Sequence, residues 1–205
     1  MNLKLRMKKA GRPLSFDRQK ALKNAMLTFW QSGYETTSIT DLTSAMGITA
    51  PSLYTAFGDK KKLFIEAVNL YAFGDGSGED FIANAHTSYD AAKMLLNTSL
   101  SIFTDEETPA GCLMASSTAT GSSASVEVRE YVTSVRTSMR DALSQRIERD
   151  IKEDKLPSSV NAAALSSFVF TIIQGMSVLV RDNVNRCELQ QVCDIALHAW
   201  PTKVK

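Results

Sequence analysis

The sequence predicts an all-α fold: an N-terminal three-helix domain containing a helix-turn-helix, followed by a C-terminal helical bundle, about nine helices in all. Three observations predict it. The 205 residues include only 10 Gly and 5 Pro, too little punctuation for an all-β chain, which needs a turn about every 8–12 residues. Apolar residues recur three and four apart in one segment after another, the spacing of a helix face. The charge is also split. Residues 1–62 hold 11 Lys/Arg against 4 Asp/Glu, while residues 63–205 hold 12 against 18. A small basic head on an acidic body implies that the head alone meets a polyanion.

The elements follow in order. Residues 1–14 show no apolar period and read as a flexible basic arm ending in Gly11-Arg12-Pro13. Residues 15–60 form the first domain. Ala21, Leu22, Ala25, Met26, Phe29 and Trp30 lie on one face of a helix that starts near Ser15 or Asp17 and stops at Gly33, a suitable C′ residue. Ser38 and Asp41 have the form of a capping box for a short helix carrying Ile39, Leu42, Ala45 and Met46, closed by Gly47. Thr49 can cap the next, with Pro51 tolerated in its first turn and Leu53, Ala56 and Phe57 facing inward. Asp59 can cap a fourth helix that carries Leu63, Phe64, Ala67, Val68 and Tyr71 and opens the second domain, residues 61–205.

In that domain Gly74-Asp75-Gly76-Ser77-Gly78 reads as a loop and Asp90 to Phe103 as a helix. Gly111 to Thr120 is small and apolar, a buried helix by this reading, and Val126 to about Glu153 is a long amphipathic one. Asn161 to Arg181 is apolar nearly all round and so expected to be buried on both sides. Glu188 to Trp200 is a final amphipathic helix.

Composition excludes several classes. An odd three cysteines make no disulfide framework and favour a reducing, cytoplasmic setting. The apolar run Phe168 to Val180 is short and interrupted by Thr171, Gln174 and Ser177, so no membrane span is expected. There is no nucleophile elbow, phosphate loop, dinucleotide fingerprint or His-Glu-x-x-His helix. With two histidines in the chain, no enzyme, catalytic residue, cofactor or metal site is expected. Cys187 and Cys193 are six residues apart, which places them on different faces of a helix.

Ser38 to Phe57 is helix, glycine turn, helix, and such modules insert the second helix into the DNA major groove. Its exposed positions are expected to be Thr49, Ala50, Ser52, Tyr54 and Thr55. Hydroxyls can bond to phosphate or base edges, and Ala and Thr methyls can meet a thymine methyl. Lys60, Lys61 and Lys62 can reach the same backbone. A helical adaptor that binds only protein is the competing class, and the basic head counts against it.

The run Tyr34-Glu35-Thr36-Thr37-Ser38-Ile39, then Met46-Gly47-Ile48-Thr49, Ser52-Leu53-Tyr54-Thr55-Ala56-Phe57 and Lys60-Lys61-Lys62-Leu63-Phe64, resembles the N-terminal domain of the TetR family of transcriptional regulators over residues 12–71. The remainder matches in style, with Gln174-Gly175 and Trp200 at familiar places. The resemblance implies a regulator, most readily a repressor, that binds a near-palindromic double-stranded operator as a homodimer and releases it when a small molecule binds the body. Thr37 is implied as a phosphate or capping contact, and Thr49, Ala50, Ser52 and Thr55 as the groove-facing set. Tyr54 and Lys60 are implied as backbone anchors, and Arg12 as an arm in the neighbouring groove. The recognition helix offers no Arg, Asn or Gln for bidentate base readout, so specificity leans on methyl contacts, the arm and DNA shape.

The body is rich in Met, Phe, Ser and Thr, which suits an apolar effector cavity with a few orienting hydroxyls. Phe103, Cys112, Met114, Phe170 and Gln174 are the candidate ligand contacts. Oxidation or alkylation of Cys112 is the alternative signal. Asp105, Glu106 and Glu107 lie near it and no Lys, Arg or His falls within ten residues, which favours the small molecule.

Overall fold

The computed structural model describes residues 16–74, 78–116 and 126–202, and these contain ten helices and no strand. The first four helices are α1 (Arg18–Ser32), α2 (Ile39–Met46), α3 (Ala50–Phe57) and α4 (Lys60–Phe73). Each starts on a side chain that accepts a backbone N–H three residues on: Asp17, Ser38, Thr49 and Asp59. The Ser38–Asp41 capping box is complete, with Ser38 N–H donating to the Asp41 carboxylate at 2.8 Å and Asp41 N–H to Ser38 Oγ at 3.1 Å. Gly47 stops α2 at φ 66°, a left-handed conformation that a side chain would strain. The basic arm, Arg12 included, lies outside the described residues.

The head is sealed by aromatic rings. Phe29 of α1 meets Phe64 of α4 edge-on at 5.1 Å, and Tyr34 meets the same ring at 5.0 Å. Leu42 and Leu53, one from each helix of the helix-turn-helix, are fully buried beneath them.

The body comprises α5 (Gly78–Asn84), α6 (Ser88–Phe103), α7 (Leu113–Ser116), α8 (Val126–Lys152), α9 (Ala162–Arg181) and α10 (Arg186–His198). The sequence predicts about nine helices, and α5 is the added one. It is only seven residues long, too short to display a period, yet it buries Ile82 and packs on α8. Of the helix expected over 111–120, Leu113–Ser116 are helical, and residues 117–125 lie outside the described residues.

Two further differences concern burial. On α8 the charges do not all face solvent, because Arg146 and Asp150 are each 2% exposed. Their ion pair spans 2.7 Å. Arg146 also donates to the carbonyls of Ala85 and His86, and Ser88 N–H donates to Asp150 at 2.6 Å. This buried cluster fastens the α5–α6 turn to α8. On α9 the buried stripe runs through Ala162, Ser166, Val169, Ile173, Met176 and Ser177, and the helix packs against α6, α8 and α10. Phe168, Val178 and Leu179 remain exposed, as does Ile195 of α10 at 70%. Burial on both sides of α9 is therefore absent within one chain. Among the described residues α9 is the one helix long and apolar enough to cross a bilayer, with mean hydropathy 1.8.

Candidate DNA-binding surface and interior cavity

The outer face of α3 is fixed from beneath. Arg18 on α1 donates to the Ala56 carbonyl at 3.2 Å, pairs with Glu66 of α4 at 2.7 Å, and lies 4.4 Å above the Phe57 ring. One guanidinium thus ties three helices and sets the angle at which α3 leaves the head. The sequence gives no sign of this clamp, because its partners lie 38 and 48 residues away. Asn24 adds a bond to the Ala45 carbonyl at 2.9 Å, joining α1 to α2.

On this support Thr49, Tyr54 and Thr55 are exposed, and Ala50 and Ser52 half-buried. Tyr54 presents half its surface. The hydroxyls of Thr49 and Ser52 bond to each other at 2.9 Å, and Thr55 Oγ1 donates to the Pro51 carbonyl at 2.8 Å. Thr55 therefore has a lone pair and a methyl left for an external partner, while its proton is engaged.

Of the two roles that the resemblance implies for Thr37, phosphate contact or capping contact, its surroundings fit the second. Thr37 is 1% exposed and its hydroxyl donates to the Gly33 carbonyl at 2.6 Å. It closes the α1–α2 turn from inside, and its hydroxyl has no path to a phosphate. Lys60 is half-buried, with its ammonium 4.6 Å from the centre of the Tyr34 ring and 3.4 Å from the Glu35 carbonyl. Burial lowers its pKa from the ordinary lysine value, against the opposing pull of Glu35 and Asp41. Burial likewise raises that of Tyr34, helped by Glu35 and Asp59. Lys60 keeps further N–H donors for a phosphate. Lys61 is directed away, into an ion pair with Glu127 of α8.

The body encloses a cavity of about 380 Å³. All five residues singled out from sequence, Phe103, Cys112, Met114, Phe170 and Gln174, lie on its wall. They arrive from α6, the segment around α7, and α9. Tyr71 of α4, Phe81 of α5, Met94 and Ile102 of α6, and Arg136 and Met139 of α8 also line it. Of these, Tyr71 and Arg136 carry polar heads on residues that read from sequence as ordinary helix positions.

Cys112 is 2% exposed. Its N–H donates to Ser177 Oγ at 2.9 Å, and its carbonyl accepts from Arg181 at 3.2 Å. Folding thus brings an arginine from 69 residues away to the Cys112 backbone. The Tyr71 hydroxyl meets the Cys112 thiol and the Leu113 backbone, and burial, the largest cause, pushes its pKa well above the ordinary tyrosine value. Cys193 is buried with its sulfur 3.4 Å from Met176 Sδ, while Cys187 is exposed. No His/Cys/Asp/Glu cluster fit for a metal occurs among the described residues.

A capped helix-turn-helix on a helical body with an internal cavity defines a helix-turn-helix transcriptional regulator. A family model described as bacterial regulatory proteins, tetR family, matches residues 21–67, and one described as tetracyclin repressor-like, C-terminal domain, matches residues 91–193. The chain belongs to the TetR family and is a transcriptional regulator, not an enzyme. It is 32% identical to the HTH-type transcriptional repressor ComR of Escherichia coli K12, over 97% of this chain and 95% of that protein. The solved structure of the TetR family regulator CifR, a cysteine mutant complexed with 26 bp double-strand operator DNA, superposes with a TM-score of 0.84. Identity is 37%, covering 93% of this chain and all of that one. A TetR regulator from Rhodococcus sp. RHA1 superposes at 0.59 with 32% identity, over 90% of this chain and all of that one.

Proposed function

We propose that this regulator is a cytoplasmic, dimeric repressor that leaves its operator when a small molecule fills the body cavity. The observation that carries the reading is the pairing, in one chain, of a rigidly clamped and exposed α3 face with a walled apolar cavity. Two α3 helices related by a twofold axis would enter successive major grooves of a near-palindromic site, with half-sites about 34–36 Å apart or a multiple of that. Thr49, Ala50, Ser52 and Thr55 then face the groove, Tyr54 and Lys60 hold phosphate, and Arg12 in the arm reaches the neighbouring groove. The operator complex of the 37% identical CifR supports the DNA partner. The apolar strip of Phe168, Val178, Leu179 and Ile195 supports a second copy as the body's partner, since a two-helix face of this kind suits an isologous four-helix contact.

Footprinting on the DNA flanking the protein's own gene tests the reading. Two protected half-sites at that spacing are expected, with protection lost on addition of a hydrophobic effector. A protein that protects a single half-site, or none, overturns it. Cys112 lies on the cavity wall, so an electrophile that enters would meet its thiol. Cys112→Ser is expected to keep both operator binding and release. A Cys112→Ser protein that stays on DNA under an electrophile that dislodges the parent would make the thiol the sensor.

A further inference from the structure

The cavity wall is apolar except at a few points, and only one of its lining residues, Arg136, is charged. Arg136 sits mid-way along α8 and is half-buried. Other arginines that bond into the fold are matched: Arg18 with Glu66, Arg146 with Asp150, and the exposed Arg181 with the carbonyls of Ala110 and Cys112. Arg136 has no acidic partner within ion-pair distance among the described residues. A half-buried guanidinium beside an apolar wall costs free energy unless something pairs with it.

Next to the cavity lies a second recess between α8 and α9. Its wall holds two arginines, Arg136 and Arg140, four hydroxyls and the Gln174 carboxamide, but no Asp or Glu. Arg140 is exposed and has only Asp141, at 4.0 Å, beside it. Arg136, Phe170 and Gln174 line both spaces. They form a threshold that is cationic and hydrogen-bonding on one side and apolar on the other.

We infer that the effector is an amphipathic carboxylate. Its headgroup sits at the threshold, paired with the Arg136 guanidinium and the Gln174 amide, and its apolar body lies among Met94, Ile102 and Phe103. This rests on the cavity being the effector site. The planar fork of an arginine matches the two oxygens of a carboxylate, and one lining guanidinium balances one negative charge. Size narrows the class further. At roughly 30 Å³ per water-sized group, 380 Å³ holds about a dozen non-hydrogen atoms, a medium-chain or aryl-substituted acid. Thr98 and Ser99 on the same wall can accept one further polar substituent along that body.

The test pairs each acid with the alcohol of the same skeleton: straight-chain carboxylates from hexanoate to dodecanoate, and phenylbutanoate. Calorimetry measures binding to the full-length protein, and a mobility shift measures operator release. The acids are expected to bind more tightly than their alcohols and to release DNA. Arg136→Gln is expected to weaken acid binding by about tenfold or more, the scale of one charged hydrogen bond, while changing alcohol binding by less than about twofold. Arg136→Lys, which keeps the charge, should recover part of the loss. Lys152→Gln, on the same helix but away from the cavity, should lose none. Alcohols that bind as well as acids, or acid affinity that ignores Arg136→Gln, would overturn the carboxylate proposal while leaving the cavity as effector site. If no acid binds but neutral or electrophilic hydrophobes still release the operator, the carboxylate proposal alone fails. If no compound releases the operator, the effector reading fails with it.

Discussion

Gly111 is the most constrained glycine in the described chain, and Gly111→Ala tests how the body is held together. Its φ is 83°, a left-handed conformation that costs an L-residue about 1–2 kcal/mol. A Cβ there would lie 2.7 Å from the Ser177 carbonyl oxygen, 2.7 Å from Arg181 Nε and 3.2 Å from Ser177 Oγ. The first contact is with helical backbone near the C-terminal end of α9 and cannot be relieved by turning a side chain. Overpacking of this kind adds about 1–3 kcal/mol. Relief requires the Gly111 segment to lift from α9, which stretches the bond from Cys112 N–H to Ser177 and the two that Arg181 makes to Ala110 and Cys112. The expected loss is about 2–5 kcal/mol, a large part of the stability of an ordinary domain. Urea unfolding followed by circular dichroism, at one protein concentration, reads it. Gly47→Ala is the reference: its φ is 66° but no atom lies within 4 Å of the added Cβ, so only the backbone cost applies. Equal losses for the two variants, within about 0.5 kcal/mol, would refute the packing argument.

Three further expectations follow from the same structure. Burial pushes the Asp150 carboxyl up, but bonds from Ser88 and Arg146 outweigh it and hold the pKa below the ordinary aspartate value. Its contribution is therefore full above the unfolded pKa of about 3.9 and is lost as pH falls through the lower folded value. Asp150→Asn, which strands Arg146, should cost about 3–5 kcal/mol at neutral pH in a denaturant titration and flatten the acid limb. Val178→Glu should yield monomers or insoluble chain by light scattering, whereas a monomeric parent at micromolar concentration would remove the interface altogether. Tyr54→Phe and Lys60→Ala should weaken binding to all DNA sequences alike, and Lys60→Ala should flatten the salt dependence by about one unit per half-site. Altered operator preference at unchanged affinity would contradict a phosphate contact.

The head is legible in the sequence because its signals are local. Ser38 and Asp41, Gly47, and Thr49 with Pro51 each fix a helix end within four residues, and the structure puts α2 and α3 between them. The buried faces of α1 and α4 follow from apolar spacing alone. Contacts that depend on distant partners are not legible. Thr37 carries the family motif, and only the fold turns its hydroxyl into the α1–α2 turn. Arg146 and Asp150 look like one more surface pair on a charged helix, and their burial depends on where α5 and the start of α6 come to rest. The cavity falls between these cases. Its aromatic and Met lining stands out by composition, but Tyr71, Phe81 and Arg136 join it from three separate helices whose relative placement no spacing rule supplies.

That placement also suggests how an occupied cavity could reach the DNA. Among the described residues, the first four helices meet the rest of the chain through α7 against α1 and α4, through Tyr131 of α8 bonded to Asn69 of α4, and through Lys61 paired with Glu127. The α7 segment is held at both ends. Its start is pinned to α9 by Ser177 and Arg181. Its end abuts the head, with the Ser116 carbonyl 3.6 Å from where a Cβ on Gly33 would stand. Gly33 opens the turn that Thr37 braces and that leads directly into α2. Cys112 and Met114, between the two ends, line the cavity. On the reading proposed above, α9 is also the dimer helix, so α7 is a short strut from the dimer axis to the root of the helix-turn-helix. On that same reading, a ligand that displaced Met114 would move that root relative to the axis and change the separation of the two α3 helices. The strut need not transmit much energy. A tenfold fall in operator affinity needs only about 1.4 kcal/mol of difference in how the ligand binds the two head spacings.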